Sequence, residues 1–340
     1  MPKDLAPPDL LVKIAVASNC HTDGMVQSGV FGTKLPCIAS HEGAGTVVAV
    51  GSEVKNFKPG DRVMCGLPYH PCGMCYDCLL GPESQRQYCS NVVGHSGVQR
   101  DGFFAEYALV DSRSSTPVPD AVTLESAAPL ACAGRTIWKG VTLAGLKQGE
   151  WIALVGSGGG LGHLGIQFAK ALGLMVIGID ARDDGLALTK DTGADVVLDA
   201  RKGKEYLVEE VKKVTSGQGA DCAVTISDAS NVAATACAIT RMHGVMIQIA
   251  QPDEVVIPFA ELIFRDIRIH GSLLCSPDES KDMLEVVAKH GIKVKTNPFK
   301  GLDAIGELVE LAHGGKIQGK AIIIIDEEQI AKEREIGAKY

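Results

Sequence analysis

Short apolar runs alternate with amphipathic segments over the middle of the chain, beginning near Trp138. Runs of strand length lie at residues 152–155, 175–179, 196–198, 223–226, 245–249 and 267–269. Apolar strands separated by helical segments are what a parallel sheet covered on both faces requires. The pattern therefore predicts a doubly wound α/β domain over residues 134–275.

A different pattern occupies the first 130 residues. Strand-like segments at residues 11–17, 45–50, 62–64 and 104–110 are short, and glycine and proline separate them. This spacing predicts an irregular, mostly β domain.

The last part of the chain favours a return to the first domain. Helical patterns near residues 280–289 and 302–312 precede a strand at residues 321–325. We therefore assign residues 1–133 and 276–340 to the mostly β domain, and residues 134–275 to the α/β domain. We expect the charged stretch at residues 327–339 to be a solvated end.

The charge and composition of the 340 residues narrow the classes of function. A formal net charge of −8 argues against nucleic acid or an anionic membrane surface as the main partner. We see no secretion signal at the N-terminus and no apolar run that is long enough to span a membrane. Eleven cysteines are an odd number without a secretory context, which favours a reducing, cytoplasmic location.

Four of these cysteines lie close together at Cys72, Cys75, Cys78 and Cys89. Four thiolates at such short spacing can close a tetrahedral shell around a structural zinc ion. Incidental free thiols or a redox-active CxxC pair remain alternatives for the same pattern. We name residues 72–89 the cysteine lobe and predict that it binds zinc.

A glycine-rich segment follows the first apolar run of the α/β domain and leads into a helical pattern at residues 163–172. Between a buried strand and a helix N-terminus, such a turn lets backbone N–H groups approach a pyrophosphate. Asp180 ends the next apolar run, where a carboxylate can bind the adenosine ribose hydroxyls and repel a 2′-phosphate, which favours NAD over NADP. Arg182 can partly accommodate that phosphate, so NADP remains open. The candidate cofactor-binding residues of the segment are Gly156, Gly158, Gly159, Gly160, Leu161 and Gly162.

Three further segments offer metal ligands at Cys20, His41 and Cys132. None of the three identifies a metal site alone, because a lone cysteine is usually a core residue and a lone histidine is usually solvated. Together they provide two thiolates and an imidazole, a set that leaves a coordination position open for chemistry.

Five motifs together resemble the zinc-dependent medium-chain alcohol dehydrogenases, most of all those of yeast and fungal type. They are CHTD at residues 20–23, HEGAG at 41–45, the cysteine lobe, CAG at 132–134 and GSGGGLG at 156–162. The resemblance extends over nearly the whole chain. It implies a GroES-like catalytic domain, a Rossmann cofactor domain and an active site in the cleft between them. It also implies hydride transfer between an alcohol or carbonyl substrate and the nicotinamide of NAD(H).

On the metal side, the resemblance implies that Cys20, His41 and Cys132 bind a catalytic zinc ion. Glu42 is then a close neighbour that ligates the metal transiently when substrate is absent. Asp23 hydrogen-bonds His41 and fixes the orientation of its ring. With the cysteine lobe, these residues imply two zinc ions per chain.

On the substrate and cofactor side, the resemblance implies that Thr22 bonds the alcohol oxygen and begins proton removal. His21 then faces the cofactor pyrophosphate, and Thr136 packs near the nicotinamide. Lys320 reaches the cofactor phosphates from a position where relatives often carry arginine.

Three features depart from the family pattern. Met25 stands where many relatives have a proton-relay histidine, so we expect the proton to leave through the cofactor ribose and water. The gap between Cys78 and Cys89 is longer than usual, which a surface loop absorbs at little entropic cost. Ser40 replaces a glycine before His41, and the sequence indicates no consequence of this change.

The substrate pocket is predicted to be wide. Phe31 and Leu67 align with positions where microbial relatives carry large indole side chains that restrict the site to small alcohols. We therefore expect activity on alcohols or aldehydes that are bulkier than ethanol. Gln251 is either a polar wall near the nicotinamide or a solvent-facing loop amide.

Two other functions remain open at this point. One is a reductase of activated C=C bonds from the same superfamily, whose members commonly lack the zinc ligands and often prefer NADPH. The other is a non-enzymatic zinc-binding or regulatory protein that uses the fold as a scaffold. For either enzyme, the resemblance implies a homodimer or homotetramer in which edge strands of the Rossmann sheets pair across subunits.

Overall fold

In the computed structural model, which describes residues 4–79, 85–314 and 317–340, the chain forms two compact units. The first unit contains Met1–Arg135 and Cys275–Tyr340, and the second contains Thr136–Leu274. The hydrophobic pattern placed the two boundaries after residues 133 and 275, whereas the contacts place them after residues 135 and 274. The chain leaves the first unit once and returns to it.

Strands dominate the first unit, and strands alternate with helices in the second. The strands are β1 (Asp9–Ser18), β2 (Glu42–Val50), β3 (Arg62–Met64), β4 (Pro68–Tyr69), β5 (Gly94–His95), β6 (Tyr107–Asp111), β7 (Thr116–Pro117), β8 (Trp151–Val155), β9 (Met175–Asp180), β10 (Val196–Asp199), β11 (Ala220–Thr225), β12 (Thr240–Gln248), β13 (Arg268–Gly271), β14 (Thr296–Lys300) and β15 (Lys320–Ile324). The helices are α1 (His21–Gln27), α2 (Tyr76–Leu79), α3 (Leu124–Pro129), α4 (Arg135–Thr142), α5 (Gly162–Ala171), α6 (Asp183–Asp191), α7 (Lys204–Val214), α8 (Val232–Ile239), α9 (Phe259–Ile263), α10 (Pro277–His290), α11 (Ile305–His313) and α12 (Glu327–Glu335). Among the described residues, none of these helices is long and apolar enough to cross a membrane.

The central strand of the first unit is β1. Its residues are mostly apolar and are buried on both faces, with Lys13 only partly exposed. It pairs antiparallel with β2, β6 and β15. Ser18 at the end of β1 is the register partner of Glu42 at the start of β2. The segment that follows Ser18 and the segment that precedes Glu42 therefore leave the sheet side by side, and both carry candidate metal ligands.

The second unit is a parallel sheet with the strand order β10-β9-β8-β11-β12-β13. Every pairing between these strands is parallel. The order reverses between β8 and β11, and doubly wound sheets bind ligands at the carboxyl ends of the strands next to such a reversal. The doubly wound α/β fold predicted from the hydrophobic pattern is confirmed.

The predicted strand at residues 104–110 begins too early. In the structure β6 begins at Tyr107, and Phe103 and Phe104 belong to a loop whose side chains are buried in the core. Their backbone N–H groups donate to the carbonyls of Ser40 and Ala39, at 2.9 and 3.1 Å. These hydrogen bonds hold the loop against the segment that leads to His41.

The prediction of a solvated C-terminal end is wrong. Residues 327–335 form α12, in which Ile330 and Glu333 are buried. Beyond it, the backbone N–H groups of Lys339 and Tyr340 donate to the carbonyl of Ala121 at 2.9 and 3.0 Å. The amphipathic pattern of this stretch is hard to recognise among its charged residues, because only a few of its side chains face the core.

Helix α10 begins one residue after Ser276, earlier than the hydrophobic pattern indicated. The Ser276 hydroxyl accepts from the Glu279 N–H at 3.2 Å, and the Glu279 carboxylate accepts from the Ser276 N–H at 2.8 Å. This reciprocal cap, with Pro277 in the first turn, starts the helix. Gly291, with φ of 66°, ends it in the left-handed conformation.

Candidate active site

Asp23 joins the two ligand-bearing segments that leave the sheet. Its Oδ2 accepts from the backbone N–H of Cys20 at 2.8 Å, across the first turn of α1. Its Oδ1 accepts from the backbone N–H of Ser40 at 3.0 Å and lies 3.5 Å from His41 Nδ1. One carboxylate therefore caps α1 and lies beside the imidazole ring whose orientation the sequence analysis assigned to it.

Ser40 has a structural role that the sequence did not indicate. Its φ is +75°, in the left-handed region where glycine is favoured, and the residue is fully buried. Its hydroxyl donates to the carbonyl of Ser18 at 2.8 Å. This hydrogen bond ties the turn before His41 to the end of β1.

Cys132 lies in a π-helical turn, Leu130–Gly134, that joins α3 to α4. Turns of this kind are rare and often occur at functional sites. The next backbone N–H, that of Ala133, donates to Glu42 Oε1 at 3.0 Å. Glu42 thus fastens the turn that presents the Cys132 thiol.

The two segments and the π-helical turn bring four candidate metal ligands together. One ligand atom each from Cys20, His41, Glu42 and Cys132 lies within 4.8 Å of all the others. The buried His41 Nε2 has no hydrogen-bond partner among the described residues. Two thiols and a buried imidazole nitrogen without a hydrogen bond are the donors that a zinc ion prefers, so the residues fit a zinc site.

The protonation of this cluster is strongly coupled. A hydrogen bond from Cys132, together with Lys320 and His41, lowers the pKa of the Cys20 thiol well below its usual value despite burial. The hydrogen bond with Cys20 and burial raise the pKa of Cys132. Burial opposes the charged form of His41, but Asp23 and Cys132 raise its pKa well above its usual value. The lowered pKa favours a thiolate at Cys20, which is the form of cysteine that binds a metal ion.

The structure places Lys320 beside Glu42, and its predicted contact with a cofactor phosphate stays a prediction. Its Nζ lies 2.7 Å from Glu42 Oε2, and the side chains are 5% and 0% exposed. The ammonium group is therefore buried against a carboxylate. Burial raises the pKa of Glu42 to about 7, and the attraction of Lys320 opposes this rise. The sequence missed the pair because no local signal links the two positions.

The cysteine lobe brings the sulfur atoms of Cys72, Cys75, Cys78 and Cys89 within 4.8 Å of one another. Cys72 Sγ lies 4.0 Å from Cys78 Sγ, and Cys75 Sγ lies 3.8 Å from Cys89 Sγ. Backbone N–H groups of Met74 and Cys75 lower the pKa of Cys72 to about 6. Residues 80–84, which contain part of the longer gap, lie outside the described residues. The four donors fit a tetrahedral zinc ion.

The glycine-rich loop lies at the carboxyl end of β8, in the second unit. Gly156 has φ of +101°, and a Cβ atom on Gly162 would lie 2.4 Å from the backbone of Ser157. The backbone N–H of Gly158 donates to Asp180 Oδ2 at 2.9 Å. Gly159, Gly160 and Leu161 follow and lead into α5. The loop is therefore tight and close to Asp180, which suits a pyrophosphate at the start of α5.

Arg182 is held against the same carboxylate. Its Nη2 donates to the carbonyl of Gly158 at 3.1 Å, and its Nε lies 3.4 Å from Asp180 Oδ1. Gly185, which the sequence analysis missed, lets α6 pack against Asp180, because a Cβ atom there would lie 2.3 Å from Asp180 Oδ1. A glycine in the first turn of a helix was the signal that could have identified it.

The remaining candidate residues divide between the two units. Thr22 is half-buried and His21 is exposed, both in α1, and the first unit also holds the half-buried Phe31 and Leu67. Thr136 is half-buried in α4, in the second unit. Gln251 is exposed, and its backbone N–H donates to Asp228 Oδ1 at 3.0 Å. The roles assigned to these residues stay predictions.

Two family descriptions match the chain. Residues 6–120 match the alcohol dehydrogenase GroES-like domain, and residues 160–289 match the zinc-binding dehydrogenase family. The first match lies within the first unit. The second begins inside the glycine-rich loop and extends through the parallel sheet into α10.

Individual proteins are similar over nearly the full length of the chain. Alcohol dehydrogenase 1 of Emericella nidulans is 34% identical, over 94% of this chain and 91% of its own. The alcohol dehydrogenase of the archaeon Aeropyrum pernix superposes with a TM-score of 0.84 at 28% identity, covering 95% of this chain and 94% of that one. A cinnamyl alcohol dehydrogenase of Sorghum bicolor superposes with a TM-score of 0.83 at 25% identity, covering 100% and 93%.

Proposed function

The chain belongs to the zinc-binding medium-chain alcohol dehydrogenases, and we propose that it interconverts an alcohol and its aldehyde or ketone with NAD(H) at a zinc site. The observation that carries the proposal is the cluster of Cys20, His41, Glu42 and Cys132, in which the buried His41 Nε2 has no hydrogen-bond partner among the described residues. The two thiols and the imidazole are the proposed zinc ligands. A bound zinc ion supplies Lewis acidity that lowers the pKa of an alcohol, and NAD supplies the hydride acceptor.

The protein's own residues orient these ligands and move the proton. Asp23 holds the His41 ring through its Oδ1 and anchors Cys20 through its Oδ2. Thr22, between Cys20 and Asp23 in the chain, is proposed to bond the substrate hydroxyl and pass on its proton. Met25 has no exchangeable proton, so the proton then leaves through the cofactor ribose and water.

Glu42 is the fourth member of the cluster, and we propose that Lys320 restrains it. The Lys320 ammonium and the Ala133 N–H each hold one oxygen of its carboxylate. These two contacts restrain the movement of Glu42 toward a metal ion.

The proposed cofactor is NAD(H), and the position of Asp180 supports this choice. The carboxylate ends β9 beside the glycine-rich loop, where it can bind ribose hydroxyls and repel a 2′-phosphate. Arg182 is engaged with Asp180 and with the carbonyl of Gly158, so it is less available to bind such a phosphate. Residues 156–162 bind the pyrophosphate in this proposal, and His21 and Thr136 complete the cofactor contacts.

A second zinc ion is proposed for the cysteine lobe, with Cys72, Cys75, Cys78 and Cys89 as ligands. All four donors are protein thiolates, so no coordination position is left for a substrate. The role of this ion is structural. Metal analysis should find two zinc ions per chain, of which Cys89→Ser removes one and Cys20→Ala removes the other.

The proposed substrates are larger than ethanol. Phe31 and Leu67 stand where microbial relatives carry larger side chains, and Gln251 is exposed in a loop of the second unit. The similarity to a plant cinnamyl alcohol dehydrogenase supports an aromatic or extended alcohol. The kcat/KM for benzyl or cinnamyl alcohol should then exceed that for ethanol.

We also propose that the protein is a homodimer or homotetramer in the cytoplasm. Strand β13 is the edge of the parallel sheet, and its side chains are exposed. Phe259, Ile263 and Phe264, in the preceding helix and turn, are 69%, 69% and 70% exposed. An apolar surface next to an open strand edge fits a second copy of the same surface. Light scattering on Phe264→Asp should show a smaller assembly than on the parent.

The function is tested by following NADH formation with a panel of alcohols. NAD and NADP are compared, each before and after chelator treatment and after zinc is restored. We expect activity with NAD that the chelator removes and zinc restores, and that Cys132→Ser lacks. Consumption of NADPH with an enone, without activity on any alcohol, would instead identify a C=C reductase.

A further inference from the structure

Two buried aspartates face each other on neighbouring strands of the first unit. Asp9 begins β1, Asp111 ends β6, and the two are register partners in the antiparallel pair. They are 2% and 0% exposed. Like charges directly opposite in a sheet destabilise it, and a buried carboxylate needs charged or hydrogen-bonded partners. The hydrogen-bond partners of Asp9 and Asp111 therefore indicate the structural role of the pair.

Asp9 binds the two residues that lead into the cysteine lobe. Its Oδ2 accepts from the Tyr69 hydroxyl at 3.0 Å, and its Oδ1 lies 2.7 Å from His70 Nε2. The rings of Tyr69 and His70 are stacked, with centroids 3.9 Å apart. The Arg100 guanidinium lies 3.3 Å from the centroid of the Tyr69 ring. Burial and Asp9 raise the pKa of Tyr69 to about 12, so its hydroxyl remains a donor.

Asp111 binds the backbone of the same entry point. Its Oδ2 accepts from the His70 N–H at 3.2 Å. His70 has φ of +51°, a left-handed conformation that is unusual for a residue with a side chain. Pro71 and Cys72 follow directly. The two carboxylates therefore hold both the ring and the amide of the residue that directs the chain into the lobe.

Asp111 also reaches the other end of the lobe. It accepts from the Arg113 N–H at 2.8 Å and from Arg113 Nη2 at 2.5 Å. The carbonyl of Arg113 in turn accepts from Arg86 Nη1 at 3.3 Å. Arg86 begins the short 3₁₀ turn that precedes Cys89. Cys89 Sγ accepts from the Cys72 N–H at 3.3 Å, which brings the two ends together.

We propose that Asp9 and Asp111 dock the cysteine lobe onto the sheet and hold Cys72 and Cys89 in position before a metal binds. No residue of this network belongs to the proposed catalytic cluster, and both ends of the lobe are attached to it. The proposed effect on zinc retention depends on the proposed structural zinc ion, whereas the docking of the lobe does not depend on it.

Docking of this kind makes the position of the lobe independent of metal binding. A lobe that is attached at both ends keeps its donors close together when the metal leaves, and residues between Cys78 and Cys89 can be added without moving either end. The longer gap of this chain is then compatible with a tight zinc site.

The test measures docking and metal retention separately. Asp9→Asn keeps the shape of the side chain and removes its charge, and Tyr69→Phe removes one hydroxyl as a milder change. In metal-free protein, amide hydrogen exchange of peptides from residues 67–79 and 85–96 should be at least about tenfold faster in Asp9→Asn, and less accelerated in Tyr69→Phe. In the zinc-loaded protein, release of lobe zinc to a chromogenic chelator should be roughly tenfold to a hundredfold faster, with the catalytic zinc unchanged.

Glu333→Ala is the matched control. Glu333 is also a buried carboxylate of the first unit with an arginine and a backbone amide as partners. Its loss destabilises the unit without touching the lobe, so lobe exchange and zinc release should follow the parent. Equal effects in Glu333→Ala and Asp9→Asn, or none in Asp9→Asn, would overturn the proposal. If the parent holds no lobe zinc, the structural-zinc proposal is wrong, and hydrogen exchange alone decides the docking.

Discussion

Asp23 and Glu42 show how single side chains of the candidate site hold the metal donors in place. Asp23 accepts from the N–H groups of Cys20 and Ser40, and Glu42 accepts from the N–H of Ala133. Each carboxylate joins segments that are far apart in the sequence. Hydrogen bonds from the backbone to these two carboxylates therefore position the candidate donors.

Ser40 allows a test of backbone strain against a hydrogen bond. A left-handed residue with a side chain costs about 1 kcal/mol, and the bond from its hydroxyl to Ser18 contributes about as much. Ser40→Gly removes both and should change the free energy of unfolding by less than about 1 kcal/mol. Ser40→Ala keeps the strain and should be roughly 1 kcal/mol less stable than Ser40→Gly by urea unfolding. Equal stability of the two variants would show that the strain is negligible.

Lys320 allows a test of the buried ion pair. Removing one partner of such a pair leaves an uncompensated charge, and the cost is about 3–5 kcal/mol. Lys320→Met should therefore destabilise metal-free protein by about that amount, and adding Glu42→Gln should restore much of it. Urea unfolding of both single variants and the double variant measures the coupling. Additive losses would mean that the two groups do not interact.

At the scale of whole elements, two packing contacts position helices that the hydrophobic pattern alone does not position. Helix α6 can pack against Asp180, beside the glycine-rich loop, only because residue 185 lacks a side chain. Helix α12 attaches to α3 because Glu333 accepts from the Leu124 N–H at 2.8 Å and lies 3.1 Å from Arg62 Nη1. Both contacts are made by residues that a hydrophobic pattern does not mark.

Gly185→Ala tests the approach of α6. The new Cβ atom would lie 2.3 Å from Asp180 Oδ1 if nothing moved, so the helix and Asp180 must shift. Overpacking of this kind costs about 1–3 kcal/mol, and NADH affinity measured by fluorescence should fall at least about tenfold. Gly306→Ala, in α11 and with open space around it, is the control and should leave NADH affinity unchanged. Unaltered NADH binding in Gly185→Ala would contradict the role given to this contact.

Glu333 should make stability depend on pH. Burial raises its pKa above the ordinary value of 4.5, and Leu124 and Arg62 oppose the rise only in part. Below pH 4.5 both the folded and the unfolded states are protonated here. As the pH rises through the window up to the folded-state pKa, the unfolded state loses its proton first, so stability falls. Urea unfolding across that window should show the fall in the parent and less of it in Glu333→Gln. If the unfolding free energies of the parent and of Glu333→Gln changed equally with pH, this prediction would be wrong.

At the scale of the whole molecule, the chain divides its chemistry between units that have separate cores. The candidate metal donors and the cysteine lobe belong to the first unit. The dinucleotide loop, Asp180 and both tryptophans, Trp138 and Trp151, belong to the second. Tryptophan fluorescence therefore reports on the unit that carries the cofactor site.

Cofactor binding should stabilise the second unit by mass action. At a hundredfold excess of NAD over its Kd, the expected gain is about 2.7 kcal/mol, measured by urea unfolding with tryptophan fluorescence. Asp180→Ala should lose most of this gain at the same NAD concentration. Asp191→Ala, at the exposed end of α6, should keep it. Full stabilisation of Asp180→Ala by NAD would contradict the placement of the cofactor.

Much of the fold could be predicted because its signals are local. The apolar runs marked every strand of the parallel sheet to within a few residues, and the glycine-rich turn marked the start of α5. The cysteine spacing identified a group of four sulfurs that the structure brings together. The predictions for β6 and α12 were wrong because the buried side chains there belong to a loop and to a mostly charged helix. Neither segment has a clear hydrophobic period.

The sequence by itself determined the available functional groups: thiolates and an imidazole for metals, and a glycine-rich loop with an acid for a dinucleotide. It also determined the two strand patterns that distinguish the domains. Only the tertiary structure decided which partners these groups take. Lys320 pairs with Glu42, Asp9 lies opposite Asp111 in a sheet, and the C-terminal helix contacts α3. The physical reason is that local spacing constrains backbone geometry and donor type, whereas the pairing of buried charges depends on strand register and packing between distant segments.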